Sequence, residues 1–186
     1  MDPDEILLET EATMEKGFEY MQHEFSAVRT GKASPALVEN IDVEAYGASM
    51  KLKQLALITT PEPRLLVIQP FDASTTRDIE KAIKESKLGI NPIVDGKIIR
   101  LPIPALSEER RKDLVKGIKQ MAEEARVRVR SARREGIDTL KKAQKEGQVS
   151  EDDLDTYEKE IQKLTDGFSK KIDDAFSLKE ADILKV

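Results

Sequence analysis

The sequence predicts an α+β protein: an elongated three-helix bundle with an inserted small β/α/β domain, forming an L-shaped two-domain molecule. Three observations lead there. Apolar residues recur at steps of three and four through the first thirty or so residues and again after residue 106. Between those stretches the period drops to two and Pro and Gly cut the chain into short pieces. Charged residues make up 36% of the chain against 39% hydrophobic, a balance that suits long solvated helices more than a thick globular core. Each long helix carries an apolar stripe that cannot stay in water alone, so the three stripes need one another.

The first helix is expected over Asp2–Arg29. Asp2 caps it, Pro3 suits its first position, and Asp4 and Glu5 favour the positive end of its dipole. Leu7, Glu11, Met14, Phe18, Met21, Phe25 and Val28 form a coiled-coil-like seam with one charged interruption. Gly31 is expected to end the helix, and Pro35 to prevent its continuation.

From Leu37 the pattern is that of strands. Ile41, Val43 and Ala45 alternate with Asp42 and Glu44, up to Tyr46-Gly47-Ala48. Leu55–Thr60 and Leu65–Gln69 are β-prone runs separated by the turn signal Pro61-Glu62-Pro63. Thr75–Ser86 reads as a short amphipathic helix on Ile79, Ala82 and Ile83. Asp95-Gly96 between Ile93-Val94 and Ile98-Ile99 signals a hairpin.

Pro102 and Pro104 keep Leu101–Leu106 extended. Ser107 then starts a second long helix, with Glu108 and Glu109 in its first turn. Its apolar face runs through Leu114, Ile118, Met121, Ala125, Val129, Ala132, Leu140 and Ala143, and Gly147 ends it. If continuous it is roughly 60 Å long, and Gly117 and Gly136 inside it each cost about 1 kcal/mol relative to Ala. Ser150 and the acids Glu151, Asp152 and Asp153 open a third helix. Its seam is Leu154, Tyr157, Ile161, Leu164, Phe168, Ile172, Ala175 and Leu178, and the short link makes it an antiparallel neighbour. The bundle is thus expected to comprise 1–30 and 106–186, and the insert 31–105. Two connecting strands join them, one marked by Gly31 and Pro35, the other by Pro102 and Pro104, and together they make a hinge.

Composition excludes several kinds of chemistry. There is no Cys, hence no disulfide framework or thiolate nucleophile. No apolar run approaches the ~18–20 residues of a membrane span, and the acidic N-terminus lacks the marks of a signal or transit peptide, so a cytoplasmic protein is expected. The single histidine, His23, lies off the apolar seam and reads as a rim residue. Glu151-Asp152-Asp153 reads as a response to the helix dipole, so no metal, cofactor or catalytic group is assigned. Neither a phosphate-binding glycine loop nor Gly-x-Ser-x-Gly is present.

Charge is segregated along the chain. Ser107–Gly147 holds 13 Lys and Arg against 8 Asp and Glu, a balance of +5 in a chain whose total is −5. Lys112, Lys119, Arg126, Arg130 and Arg133 share one helical sector, and Arg126–Arg134 contains five arginines with no lysine and no acid. A solvated face normally mixes signs, whereas the arginine fork suits phosphate. With no Trp, three Tyr and five Phe, folded RNA or a duplex backbone is a better match than stacked single strands. Arg29, Arg126 and Arg134 are candidate RNA contacts from geometry and charge. A coiled-coil adaptor or chaperone gripping an acidic protein partner is the rival reading, and an enzyme using acidic residues the third.

Several motifs are similar to one family. Arg29-Thr30-Gly31-Lys32-Ala33-Ser34-Pro35 resembles the hinge motif of bacterial ribosome recycling factors. So does Gly89-Ile90-Asn91-Pro92 followed by Ile99-Arg100-Leu101-Pro102-Ile103-Pro104. Glu108-Glu109-Arg110-Arg111-Lys112-Asp113-Leu114 and Val129-Arg130-Ser131-Ala132-Arg133-Arg134 resemble its long central helix. The likeness spans the whole chain in order. Lys32 stands where arginine is frequent, and Ser131-Ala132 where Asn-Ile or Asn-Val is commoner. The resemblance implies a transfer-RNA-sized monomer whose bundle binds the large ribosomal subunit and its ribosomal RNA. It also implies that the protein acts after termination with elongation factor G, whose GTP hydrolysis drives separation of the subunits. Arg111, Arg130 and Arg133 match family positions associated with ribosomal RNA contact.

Overall fold

The computed structural model describes residues 2–185. The chain divides into two compact units, one made of the chain up to Arg29 and from Glu108 onward, the other of Thr30–Ser107.

The first unit is three helices, α1 (Pro3–Ala27), α4 (Glu108–Lys145) and α5 (Glu151–Leu184), each packed on the other two. Asp2 caps α1 by accepting the Asp4 N–H at 3.0 Å, and Ser150 caps α5 by accepting that of Asp153 at 3.1 Å. The buried stripe of α1 is Ile6, Thr10, Met14, Phe18, Met21 and Phe25, so the expected Leu7 and Glu11 are displaced by Ile6 and Thr10. Thr10 can be buried because its hydroxyl donates to the Ile6 carbonyl at 2.7 Å, whereas a Glu there would bring an unpaired charge inside. Helix α1 stops at Ala27, with Val28 extended, so Gly31 is not its terminator. Its φ of +80° turns the chain further on.

Helix α4 spans 38 residues, about 57 Å. Ala122, rather than Met121, is its fully buried residue at that turn. On α5 the expected Leu178 is 72% exposed. The packed side drifts instead through Ile172, Phe176 and Lys179 to the buried Ile183, because a straight helix of 3.6 residues per turn cannot hold a strict seven-residue seam. Gly136 is buried where α4 meets both neighbours. A methyl group there would collide with Thr10 Oγ1 and lie 3.2 Å from Ile161 Cδ1. The loss of helix propensity at Gly136 is the cost of that close approach.

The second unit contains β1 (Asp42–Ala45), β2 (Ala48–Lys51), a one-turn α2 (Leu52–Leu55), β3 (Ala56–Glu62), β4 (Leu65–Pro70), α3 (Thr76–Glu85), β5 (Ile93–Asp95) and β6 (Ile98–Pro102). Strands β1 and β2 form a hairpin, and the others a four-stranded antiparallel sheet ordered β3-β4-β6-β5. The core includes Val43, Leu52, Leu66, Ile68, Ile79, Ile83, Ile99 and Leu101, all fully buried. Strand β2 and helix α2 went unrecognised in the sequence. The β1–β2 loop is Tyr46-Gly47 with both φ positive, 54° and 72°, the backbone of a type I′ turn, although Tyr rarely occupies it. Tyr46 also donates its hydroxyl to Asp72. Strand β3 runs through Pro61, and the turn is Pro63-Arg64. Proline is tolerated because β3 is an edge strand whose register is irregular there. In the β5–β6 hairpin Asp95 pairs with Ile98, so the turn residues are Gly96-Lys97 rather than Asp95-Gly96.

The two linkers are fastened at their sheet ends by the same turn. The Ala33 N–H donates to the Pro63 carbonyl at 2.7 Å and that of Ile103 to the Arg64 carbonyl at 2.8 Å. Pro35 opens a 3-10 turn capped by Ser34, and Pro102 pairs with Leu65 inside the sheet. Pro35 and Pro102, both expected at the hinge, are thus tied by hydrogen bonds or strand pairing into the second unit.

Candidate nucleic-acid interface

The helical period brings Arg126, Arg130, Arg133 and Arg134 onto one side of α4, where α5 runs alongside. A groove of about 470 Å³ lies between the two helices. Arg130, Arg133, Arg134 and Lys141 line it from α4, and Lys159 and Gln162 from α5. Asp138 on α4 and Asp155 and Glu158 on α5 share its wall, so both edges are mixed, with cations in excess on α4 and acids in excess on α5.

The four arginines are held differently. Arg126 is only 27% exposed and is drawn into the bundle. Its Nη2 and Nε donate to Oδ1 of Asp173 on α5 at 2.7 and 3.2 Å, and its Nη1 meets Glu123 at 3.4 Å. That arrangement makes Arg126 a brace between α4 and α5. Arg130 is exposed, with Nη2 on Glu123 Oε1 at 2.8 Å. The Arg130 hydrogen bond, helped by the charges of Arg130 and Arg126, holds the Glu123 carboxyl below the usual range against a smaller opposing effect of desolvation. An exposed pair of this kind is worth little and yields readily to a competing oxyanion. Arg133 donates Nε to Gln162 Oε1 at 2.8 Å, while Arg134 is exposed and has no side-chain partner among the described residues.

Arg111 is half-buried near the start of α4, its Nε without a partner, about 22 Å along the helix from Arg126. Arg29 is exposed just beyond α1. Neither joins the central cluster. Arg128 points to the opposite flank, stacked 4.4 Å over the Tyr20 ring and packed on Gly17. His23 is exposed. Among the described residues no three His, Asp or Glu side chains are grouped to hold a metal ion, and no helix is long and apolar enough to cross a membrane.

Gln162, Lys141 and Lys159 were missed by the sequence reading. Lys141 continues the cation sector two turns beyond Arg134 and could have been found by extending the helical wheel. Gln162 could not, because its partner lies 29 positions away on another helix.

A cation-faced rod in a three-helix unit, interrupted by a small sheet domain on two linkers, defines a discontinuous two-unit α+β protein with a candidate anion-binding face. Comparisons with known proteins narrow it. A family model for ribosome recycling factor matches residues 21–184. The chain is 58% identical over 188 residues to the ribosome-recycling factor of Akkermansia muciniphila, covering 100% of both, and 49% identical to that of Rubrobacter xylanophilus, covering 97% of both. A solution structure of the ribosome recycling factor matches with a TM-score of 0.75 and 41% identity, over 100% of this chain and 99% of that one. Models of the T. thermophilus factor with E. coli elongation factor G bound to the E. coli post-termination complex match at 0.63 and 47%, over 99% and 100%. The chain belongs to the ribosome recycling factor family.

Proposed function

We propose that the protein binds the post-termination ribosome in the cytoplasm and, together with elongation factor G and GTP hydrolysis by that factor, separates the subunits and releases mRNA for a new round of translation. The observation that carries this reading is full-length similarity to a factor placed beside elongation factor G on that complex. In it the bundle docks through α4 on ribosomal RNA of the large subunit. Arg130, Arg133 and Arg134 face phosphates in the groove, Arg29 and Arg111 add contacts toward the linker end, and Arg126 holds α5 in register. The work is binding and displacement and needs no catalytic group of its own. The insert acts as a lever on the Gly31 and Pro104 linkers.

Two measurements test this. Arg133→Ala weakens binding to purified large subunits and lowers the slope of log affinity against log salt by about 1, with the circular dichroism spectrum unchanged. Equal affinity at two ionic strengths removes Arg133 from the interface. A disulfide that cross-links the two linkers to each other preserves binding and abolishes splitting. Normal splitting by the oxidised protein ends the lever.

A further inference from the structure

Arg133 differs from its neighbours in the chemistry of what holds it. Arg126 and Arg130 meet carboxylates, which compete with phosphate for the same nitrogens. Arg133 instead donates Nε to a neutral acceptor, Gln162 Oε1, at 2.8 Å. Gln162 is itself fixed, because its Nε2 donates to Asp166 Oδ1 one turn further along α5 at 2.9 Å. An ionised carboxylate accepts only, so Asp166 takes the amide NH₂ and turns the amide oxygen toward Arg133. The reversed amide would set donor against donor on one side and acceptor against acceptor on the other.

We infer that Gln162, oriented by Asp166, is a positioning residue for RNA docking: it takes the inner nitrogen of Arg133 and fixes the guanidinium plane without spending its charge. This rests on the reading of Arg133 as a phosphate contact. A guanidinium offers five donors in one rigid plane, so capture of Nε leaves both terminal nitrogens, and they have no partner among the described residues. Side-chain rotation that an untethered arginine loses on docking is already restricted here, which raises affinity without a new contact. A carboxylate at position 162 would hold the plane equally well and neutralise the charge it presents.

The test is a double-mutant cycle on binding to purified large ribosomal subunits at two salt concentrations, with thermal melts as control. Gln162→Leu, and Gln162→Met as its length-matched counterpart, weaken binding about five- to tenfold. They leave the salt slope at the wild-type value, because the Arg133 charge remains. Asp166→Ala weakens binding about two- to threefold by freeing the amide to flip. In an Arg133→Ala background Gln162→Leu has no further effect. Wild-type binding by both position-162 variants while Arg133→Ala binds weakly overturns the positioning role and leaves Arg133 as a contact. Penalties that add in the double variant also overturn it, since Gln162 then acts independently of Arg133. Unchanged binding by Arg133→Ala removes both the contact and the inference.

Discussion

The helical unit and the inserted unit bury apolar surface by opposite means, and the contrast explains why one displays a charged face and the other does not. In the bundle the buried stripes of α1, α4 and α5 repeat along tens of residues, so the remaining sides are free to carry charge in blocks. The insert is built of strands three to seven residues long, stitched by turns, with ten Lys and Arg against nine Asp and Glu over residues 30–106. Its order depends on local backbone geometry, such as the Tyr46-Gly47 turn and the bonds that pin Ala33 and Ile103, more than on a long seam. A long helix can dedicate one side to a partner at little cost to its packing. A short strand paired on both sides has less freedom.

That contrast can be broken by truncating each core. Phe168→Ala, in the bundle, costs about 3–5 kcal/mol in urea unfolding. Hydrogen exchange at the β4 and β6 amides stays protected if the insert is held by its own core. Loss of protection in both units together would show that they unfold as one.

A second, smaller effect sharpens the contrast within one helix. Gly136→Ala costs about 1–3 kcal/mol, because the added methyl meets Thr10 and Ile161 and overpacking outweighs the gain in propensity. Gly117→Ala gains about 0.5–1 kcal/mol, since nothing lies within 4 Å of the new methyl. Thermal melts of the pair decide it, and two shifts of the same sign would mean α4 is not pinched at Gly136.

The mildest effect is a titration. The Tyr157 hydroxyl donates to Asp4 Oδ1 at 2.6 Å, and that bond, with smaller contributions from desolvation and nearby carboxylates, pushes its pKa up to about 12. A raised phenol pKa stabilises the fold below the ordinary value of about 10 and loses that contribution as pH rises through 12. Ultraviolet titration should show one of the three tyrosines ionising last, with Asp4→Asn bringing it down.

Much of the fold was legible because it is local. The caps at Asp2 and Ser150, the change of period near residue 37 and the return to helix after Pro104 are all encoded within a few residues. Strand β2 and helix α2 were not, since Ala48–Leu55 has neither a clean alternation nor the length of a helix. The α5 seam was followed correctly to Ile172 and lost at Leu178, where helical drift accumulates beyond what a repeat of three and four describes.

The sequence by itself determined that α4 would exist, that its cations would share a sector, and that two short linkers would interrupt the bundle. Only the tertiary structure decided how each arginine is employed. Arg126 is spent on Asp173, Arg133 is aimed by Gln162, and Arg134 is left open to solvent, though all three read alike along the chain. It also decided that Gly136 is a packing requirement and that Pro35 and Pro102 belong to the folded insert. The physical reason is range: caps and periodicity act over one to a few turns, whereas Arg126, Arg133, Gly136 and Pro102 meet partners 25 to 126 positions away in sequence, and only when the elements pack.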